Sequence, residues 1–297
     1  MRLQGPTVDV PHGSLFGVVV LVAGRGLQAL LTVVPMLLAL ACGRGVPGRF
    51  GRVVVALAGA TVLLFTTAAA IPARTAAVPG PDGIAELTHV GRLGVMIRGA
   101  HATAPVLLFV PGAPGGSERG AVRHRLGAVE QRFVMATLDR RGGGSSYPAL
   151  DPTGRVTLDR EVDDILAVTD WLRQRFGFLM WENQAYDQHD NPLDVGVREL
   201  TLLQKAHTLN AMLDTWDVLY PRMQRADLRR DAPALAVPVW FVQGENEMRG
   251  LAVLFDEWYA QLTAPHKQLV TVPGAGHRVM FEQPDAIVKV LDGVLAG

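Results

Sequence analysis

Cysteine is nearly absent from this chain: Cys42 stands alone, which excludes an internal disulfide and any cysteine-based zinc site and leaves the redox compartment open. Net charge is absent too. The 28 basic and 28 acidic residues cancel, so no basic excess is available to neutralise phosphates, and a nucleic-acid partner is not expected. Serine is scarce, confined to Ser14, Ser117, Ser145 and Ser146, and this matters for any hydroxyl chemistry. No internal repeat is present, and low complexity is confined to one alanine-, proline- and glycine-rich stretch at 73–83.

Long apolar runs, by contrast, are present. Leu15 to Cys42 and Val53 to Ile71 are overwhelmingly apolar, and the second has the length of a bilayer-spanning helix, without a charge before Pro72 and Arg74. The first carries Arg25, Gln28 and Pro35, so it reads as a kinked span or a shorter one from about Leu27. Neither resembles a cleavable leader. A two-helix membrane hairpin is expected, and Arg44, Arg49 and Arg52 in the short loop between the runs place that loop in the cytoplasm and the remainder outside. The expected organisation is an anchor at 1–75 and a linker at 76–83. A first α/β part at 84–177, a cap remnant at 178–232 and a second α/β part at 233–297 follow.

Beyond the linker, the centre of the chain is PVLLFVPGAPGGS, 105–117. An unalternating leucine and valine run reads as a strand buried on both faces, as in the middle of a parallel sheet. It breaks into a turn in which glycines tolerate unusual backbone angles and Pro111 and Pro114 fix theirs. Backbone N–H groups of Gly112, Ala113 and Gly115 could face a cleft there and receive an oxyanion; a tight strand-to-helix connection is the equal alternative. Gln131 to Asp139 is the next strand and ends in DRRGGGSSYP. Glu86 to Val90 and Gly94 to Arg98 alternate as two short strands before them. Thr157 opens a helix in which Val162, Ile165, Leu166 and Leu172 recur at helical spacing, with acids near its start and Arg173 and Arg175 near its end. After Gly177 the stretch FLMWENQAYDQHDNPLDVG shows no period. A helical pattern returns from Arg198 to Leu219. Val237 to Val242 and Lys267 to Val272 are buried strands, followed by helices at about 251–262 and 283–295. Strands alternating with helices indicate a parallel α/β sheet covered on its faces.

Two of the strands end in turns that carry chemistry. His277 follows KQLVTV through Pro-Gly-Ala-Gly, where an imidazole can act as general base. Glu247 follows the preceding strand through GENE and could hold that imidazole in one tautomer, with Glu245 and Glu257 as alternatives. Asp187, His189 and Asp190 match no metal-ligand spacing and read as a polar loop, so neither metal nor cofactor is expected.

The motifs VPGAPGGS, DRRGGGSSYPALDPTGRVTLDREVDDILAVTDWLRQRFG, VPVWFVQGENE and APHKQLVTVPGAGHRVMFEQP together resemble the proline iminopeptidase-like branch of the α/β-hydrolase fold. Asp139, Arg141, Gly142, Gly144 and Ser146 match its D-x-R-G-x-G-x-S turn. Residues 111–115 stand where it carries HGGPG, with Pro111 for His and Ala113 for Gly. The resemblance implies hydrolysis of an acyl or peptide bond in a small molecule or peptide, with His277 as base, Glu247 as its orienting acid and an oxyanion site at Gly112, Ala113 and Gly115. It also implies that the helix ending near Gly177 leads to a strand and a G-x-S-x-G elbow. No such elbow exists in this chain. The fold expected is therefore an α/β-hydrolase-type, mostly parallel sheet flanked by helices, without its central nucleophile region. Catalysis should be impaired or absent, leaving at most a binding module. With that region missing, Val106 to Val110 are expected to pair directly with Val237 to Val242.

Overall fold

The computed structural model describes residues 48–112, 115–150, 156–177, 179–183, 198–205, 215, 218–221 and 223–296. The chain divides into two compact units, Met1–Ile71 and Pro72–Gly297. In the first, the described part is helix α1, Arg49–Ala70. Two arginines lie in its first turn, and alanine, glycine and threonine dilute its valines and leucines. Among the described residues no helix is long and apolar enough to cross a membrane, so the expected second span is not supported; the first, at 15–42, lies outside the described residues.

In the second unit, β1 (Ile84–Val90), β2 (Leu93–Gly99), β3 (Val106–Val110), β4 (Val134–Leu138) and β5 (Leu179–Asn183) form a sheet in the order β1-β2-β4-β3-β5. The sheet is mixed: β1 and β2, and β2 and β4, run antiparallel, while β3 runs parallel to both β4 and β5. Between β3 and β4 the chain forms α2 (Arg119–Arg125) and α3 (Gly127–Glu130). After β4 come a 3-10 turn at Gly144–Ala149 and helix α4, Leu158–Phe176. Thr157 caps that helix as its sequence predicts, accepting the Arg160 N–H at 3.2 Å. Its C-cap is Gly177, at φ 84°, a backbone region that favours glycine.

Two apolar layers cover the sheet, and the pleat sorts the residues between them. Leu107 and Phe109 of β3 join Met96, Val122, Leu126 and Phe133 on one face, while Val106, Leu108 and Val110 join Val95, Ile97, Val168 and Leu172 on the other. All five residues of β3 are buried, as its unbroken apolar run requires.

The C-terminal part comprises α5 (Leu228–Asp231), β6 (Val239–Gly244), α6 (Arg249–Gln261), β7 (Lys267–Val272), α7 (Val279–Glu282) and α8 (Pro284–Ala296). Strands β6 and β7 run parallel as a separate two-stranded sheet. The expected pairing of Val106–Val110 with Val237–Val242 is therefore incorrect. Strand β3 already has a neighbour on each edge, β4 and β5, so no edge remains for β6. Among the described residues a break separates the two sheets, and side chains span it: Val272, Ala275, Val279, Met280, Phe281, Ile287 and Leu291 share the core layer with Leu107 and Phe109. Helical turns occur at 202–205 and 218–221 within the predicted cap helix, and Leu200 and Leu219 are buried; residues 206–214 lie outside the described residues.

Candidate active site

Strands β6 and β7 are paired from Val239–Lys267 to Gly244–Val272, so both end at the same level and turn together. Backbone bonds continue past the ladder: Glu245 N–H reaches Val272 O at 3.0 Å, and Asn246 N–H reaches Ala275 O at 2.9 Å. At Gly244 the loops touch so closely that a Cβ would lie 2.1 Å from Gly276 O; only glycine fits. This zipped pair of turns brings together the two residues singled out for catalysis. His277 Nδ1 lies 2.8 and 2.9 Å from the two carboxylate oxygens of Glu247. Glu247 Oε1 also accepts the Met248 N–H at 2.7 Å, which fixes the carboxylate. The pair is only partly open to water, with 19% of the His277 side chain and 11% of the Glu247 side chain accessible. With Nδ1–H donated to the carboxylate, Nε2 carries the imidazole's lone pair.

The alternative acids serve other partners. Glu245 Oε2 accepts the Gly274 N–H at 2.9 Å and tightens the histidine turn, whereas Glu257 pairs with Arg229 at 2.5 Å. A further carboxylate, Glu282 on α7, brackets His277 from behind. Its Oε2 accepts the Gly276 N–H at 2.7 Å and its Oε1 the Arg278 N–H at 3.1 Å. Glu282 was invisible to motif reading, although a carboxylate one helical turn past the histidine is a capping signal.

The two glycine-rich turns at the ends of β3 and β4 pack on one another. A Cβ at Gly143 would lie 2.2 Å from Gly115 O, and the Arg140 N–H donates to Gly116 O at 2.9 Å. Gly115 is buried at φ 69°, and Gly112 is half-buried; Ala113 lies outside the described residues. Arg140, absent from the motif, is the clamp. Its Nη1 donates to Gly112 O at 2.5 Å and its Nε to Glu161 of α4 at 3.0 Å. Burial raises the Glu161 pKa against the opposing pull of Arg140. Arg141 holds Asp164 through two bonds, of 2.6 and 2.7 Å, and these raise its own pKa.

The D-x-R-G-x-G-x-S turn folds around Asp139, which is fully buried. Its carboxylate accepts Ser117 Oγ at 2.6 Å, Ser145 Oγ at 2.7 Å and the Ser145 N–H at 2.8 Å, and pairs with Arg119 at 3.0 Å. Ser146 Oγ donates to Asp139 O at 2.6 Å and accepts the Gly94 N–H at 2.8 Å. All three described serine hydroxyls are thus committed to Asp139. Asp187, His189 and Asp190 lie outside the described residues, and among the described residues no group of three or more His, Cys, Asp or Glu could hold a metal ion.

A mixed sheet in this order, with an acid and a histidine on consecutive parallel strands and glycine turns at the strand ends, defines an α/β-hydrolase-like fold. Several solved structures are similar to the chain. A membrane phospholipase A shares 14% identity over 95% of this chain and 99% of its own, with a TM-score of 0.50. An esterase from Mycobacterium tuberculosis shares 19% over 73% and 92%, at a TM-score of 0.45. At 14% identity the likeness to the phospholipase is one of fold. In sequence, a probable aminopeptidase of Bacillus subtilis, YbaC, is 37% identical over 82 residues, 28% of this chain. The chain covers only 26% of that relative's length. No family model matches.

Proposed function

We propose that the chain is a hydrolase of the aminopeptidase-like kind in its acid–base machinery, with its acyl chemistry impaired because the sequence carries no G-x-S-x-G elbow. The observation that carries the reading is the His277–Glu247 pair at 2.8 Å, held at the ends of two registered strands. Glu247 would fix the imidazole tautomer and stabilise its cation, His277 Nε2 would accept a proton from a nucleophile, and N–H groups near Gly112, Ala113 and Gly115 would receive the oxyanion. The substrate class is an acyl or peptide bond in a small molecule or peptide, on the strength of the sequence motifs and the partial match to a probable aminopeptidase.

The impairment follows from the serines. Ser117, Ser145 and Ser146 are bonded to Asp139, and the chain has no G-x-S-x-G. That commitment also favours a second reading, a non-catalytic scaffold that retains a binding cleft. Labelling of the purified full chain with a fluorophosphonate probe, beside His277→Ala, separates the two. No labelling of folded protein is expected. Labelling that vanishes in His277→Ala would overturn the impairment and show a serine activated by His277. For location, we propose membrane attachment through the apolar run at 15–42, and release of the protein by carbonate extraction would refute it.

A further inference from the structure

The base and the oxyanion turn lie on different sheets, and no backbone ladder joins them among the described residues. Beside the shared apolar layer, a buried ion pair between the residues that follow them joins the two turns. Arg278 follows His277 and is almost fully buried; Glu118 follows the 111–117 turn and precedes α2. Arg278 Nη2 donates to Glu118 Oε1 at 2.6 Å. The same guanidinium lies 4.1 Å from the ring centroid of Phe281, and Phe281 packs on Phe109 of β3 at 6.0 Å. Next in sequence, Arg119 reaches back to Asp139 and Ser145, so positions 118 and 119 bind the histidine loop and the serine turn respectively.

We infer that Glu118 and Arg278 are positioning residues that hold His277 in register with the oxyanion turn across the break between the two sheets. The inference rests on the reading of His277 as the base. Chemically, the pair suits this task. A planar guanidinium both stacks and donates directionally, so it fixes position and angle together. It is also mostly withdrawn from water, with 2% of the Arg278 side chain and 20% of the Glu118 side chain exposed, so salt would screen it little. Glu282, bonded to the N–H groups on either side of His277, transmits the fixed position of Arg278 to the imidazole.

The test is made on the full chain by proton NMR, reading solvent exchange of the His277 Nδ1 proton, assigned by its loss in His277→Ala. Glu118→Gln keeps the side-chain volume and removes the charge. It is expected to speed that exchange about tenfold, equivalent to about 1.4 kcal/mol of local opening. Asp292→Asn, which breaks the exposed Arg132 pair on α8, should leave the exchange unchanged. An unchanged rate in Glu118→Gln, or an equal rise in Asp292→Asn, overturns the inference. The readout needs no turnover, so a chain inert to fluorophosphonate leaves this test standing, and a labelled chain does not substitute for it.

Discussion

Removing the Asp139 carboxylate is the perturbation with the largest consequence that the structure permits us to work out. Asp139 has no solvent exposure and holds three hydrogen bonds on its carboxylate besides the pair to Arg119, itself 2% exposed. Burial already lowers the Arg119 pKa, with Asp139 the largest influence raising it again. Asp139→Ala would strand a buried guanidinium and three donors. Breaking one side of a buried pair costs about 3–5 kcal/mol. Glu199 also favours the charged Arg119, though less than Asp139 does, which places the expectation near the lower end, about 3 kcal/mol. For a unit of this size that is a fall of roughly 6–12 °C in Tm.

Asp139→Asn keeps the shape, removes the charge and turns one acceptor oxygen into a donor. Urea unfolding followed by tryptophan fluorescence, at unchanged m-value, should therefore show a large loss for both variants. A loss below about 1 kcal/mol for Asp139→Asn would mean that Arg119 does not depend on that charge, and the account of the turn as an electrostatic knot would fail.

Other consequences can be checked in parallel. Gly244→Ala must displace Gly276 O, 2.1 Å from the new Cβ, so the Nδ1 proton bonded to Glu247 should disappear from the NMR spectrum; its persistence would show that the two turns move freely. Glu161 and Glu130 have pKa values raised by burial above 4.5, so each binds protons more tightly folded than unfolded. Their contribution is full below that value and lost as pH rises through the folded pKa, so Glu161→Gln should flatten the decline in Tm above about pH 4.5. An identical pH profile would contradict this. Leu158, Val162 and Leu166 are half-exposed along one face of α4, so Val162→Lys should change stability by no more than about 0.5 kcal/mol while reducing aggregation in light scattering. A loss above about 2 kcal/mol would mean that the face is covered.

Where local chemistry alone decides structure, the sequence was a sufficient guide. Strand β3 is legible because five apolar residues between turn formers can only be a doubly covered strand, and α4 because Thr157, the acids and the final arginines mark its ends. The Glu247–His277 pairing is legible for a different reason: both residues follow glycine turns at the ends of two strands paired in parallel, although those strands are mostly half-buried and not buried as expected. Strand β5 was not. Leu-Met-Trp-Glu-Asn has neither alternation nor a β-branched residue, and it is a strand by virtue of its pairing with β3. Arg140 and Glu282 were equally hidden, because their roles depend on which turns fold against which. The span expected at 53–71 finds no support among the described residues.

That β5 occupies the edge of β3 bears on how the two sheets cooperate. A backbone ladder sets register to within a residue, whereas packed side chains can slide. Here Glu247 and His277 are fixed to each other by a ladder, and the turns at 111–117 and 139–146 are fixed to each other by Asp139 and Arg140. Between the halves stand an apolar layer, the buried Glu118–Arg278 pair and the exposed Arg132–Asp292 pair. Register across the break therefore depends on far fewer directional bonds than register within either half. Substitutions at Glu118 or Arg278 should alter the relation of His277 to the oxyanion turn while leaving the Glu247–His277 distance intact, a separation that a continuous sheet would not permit.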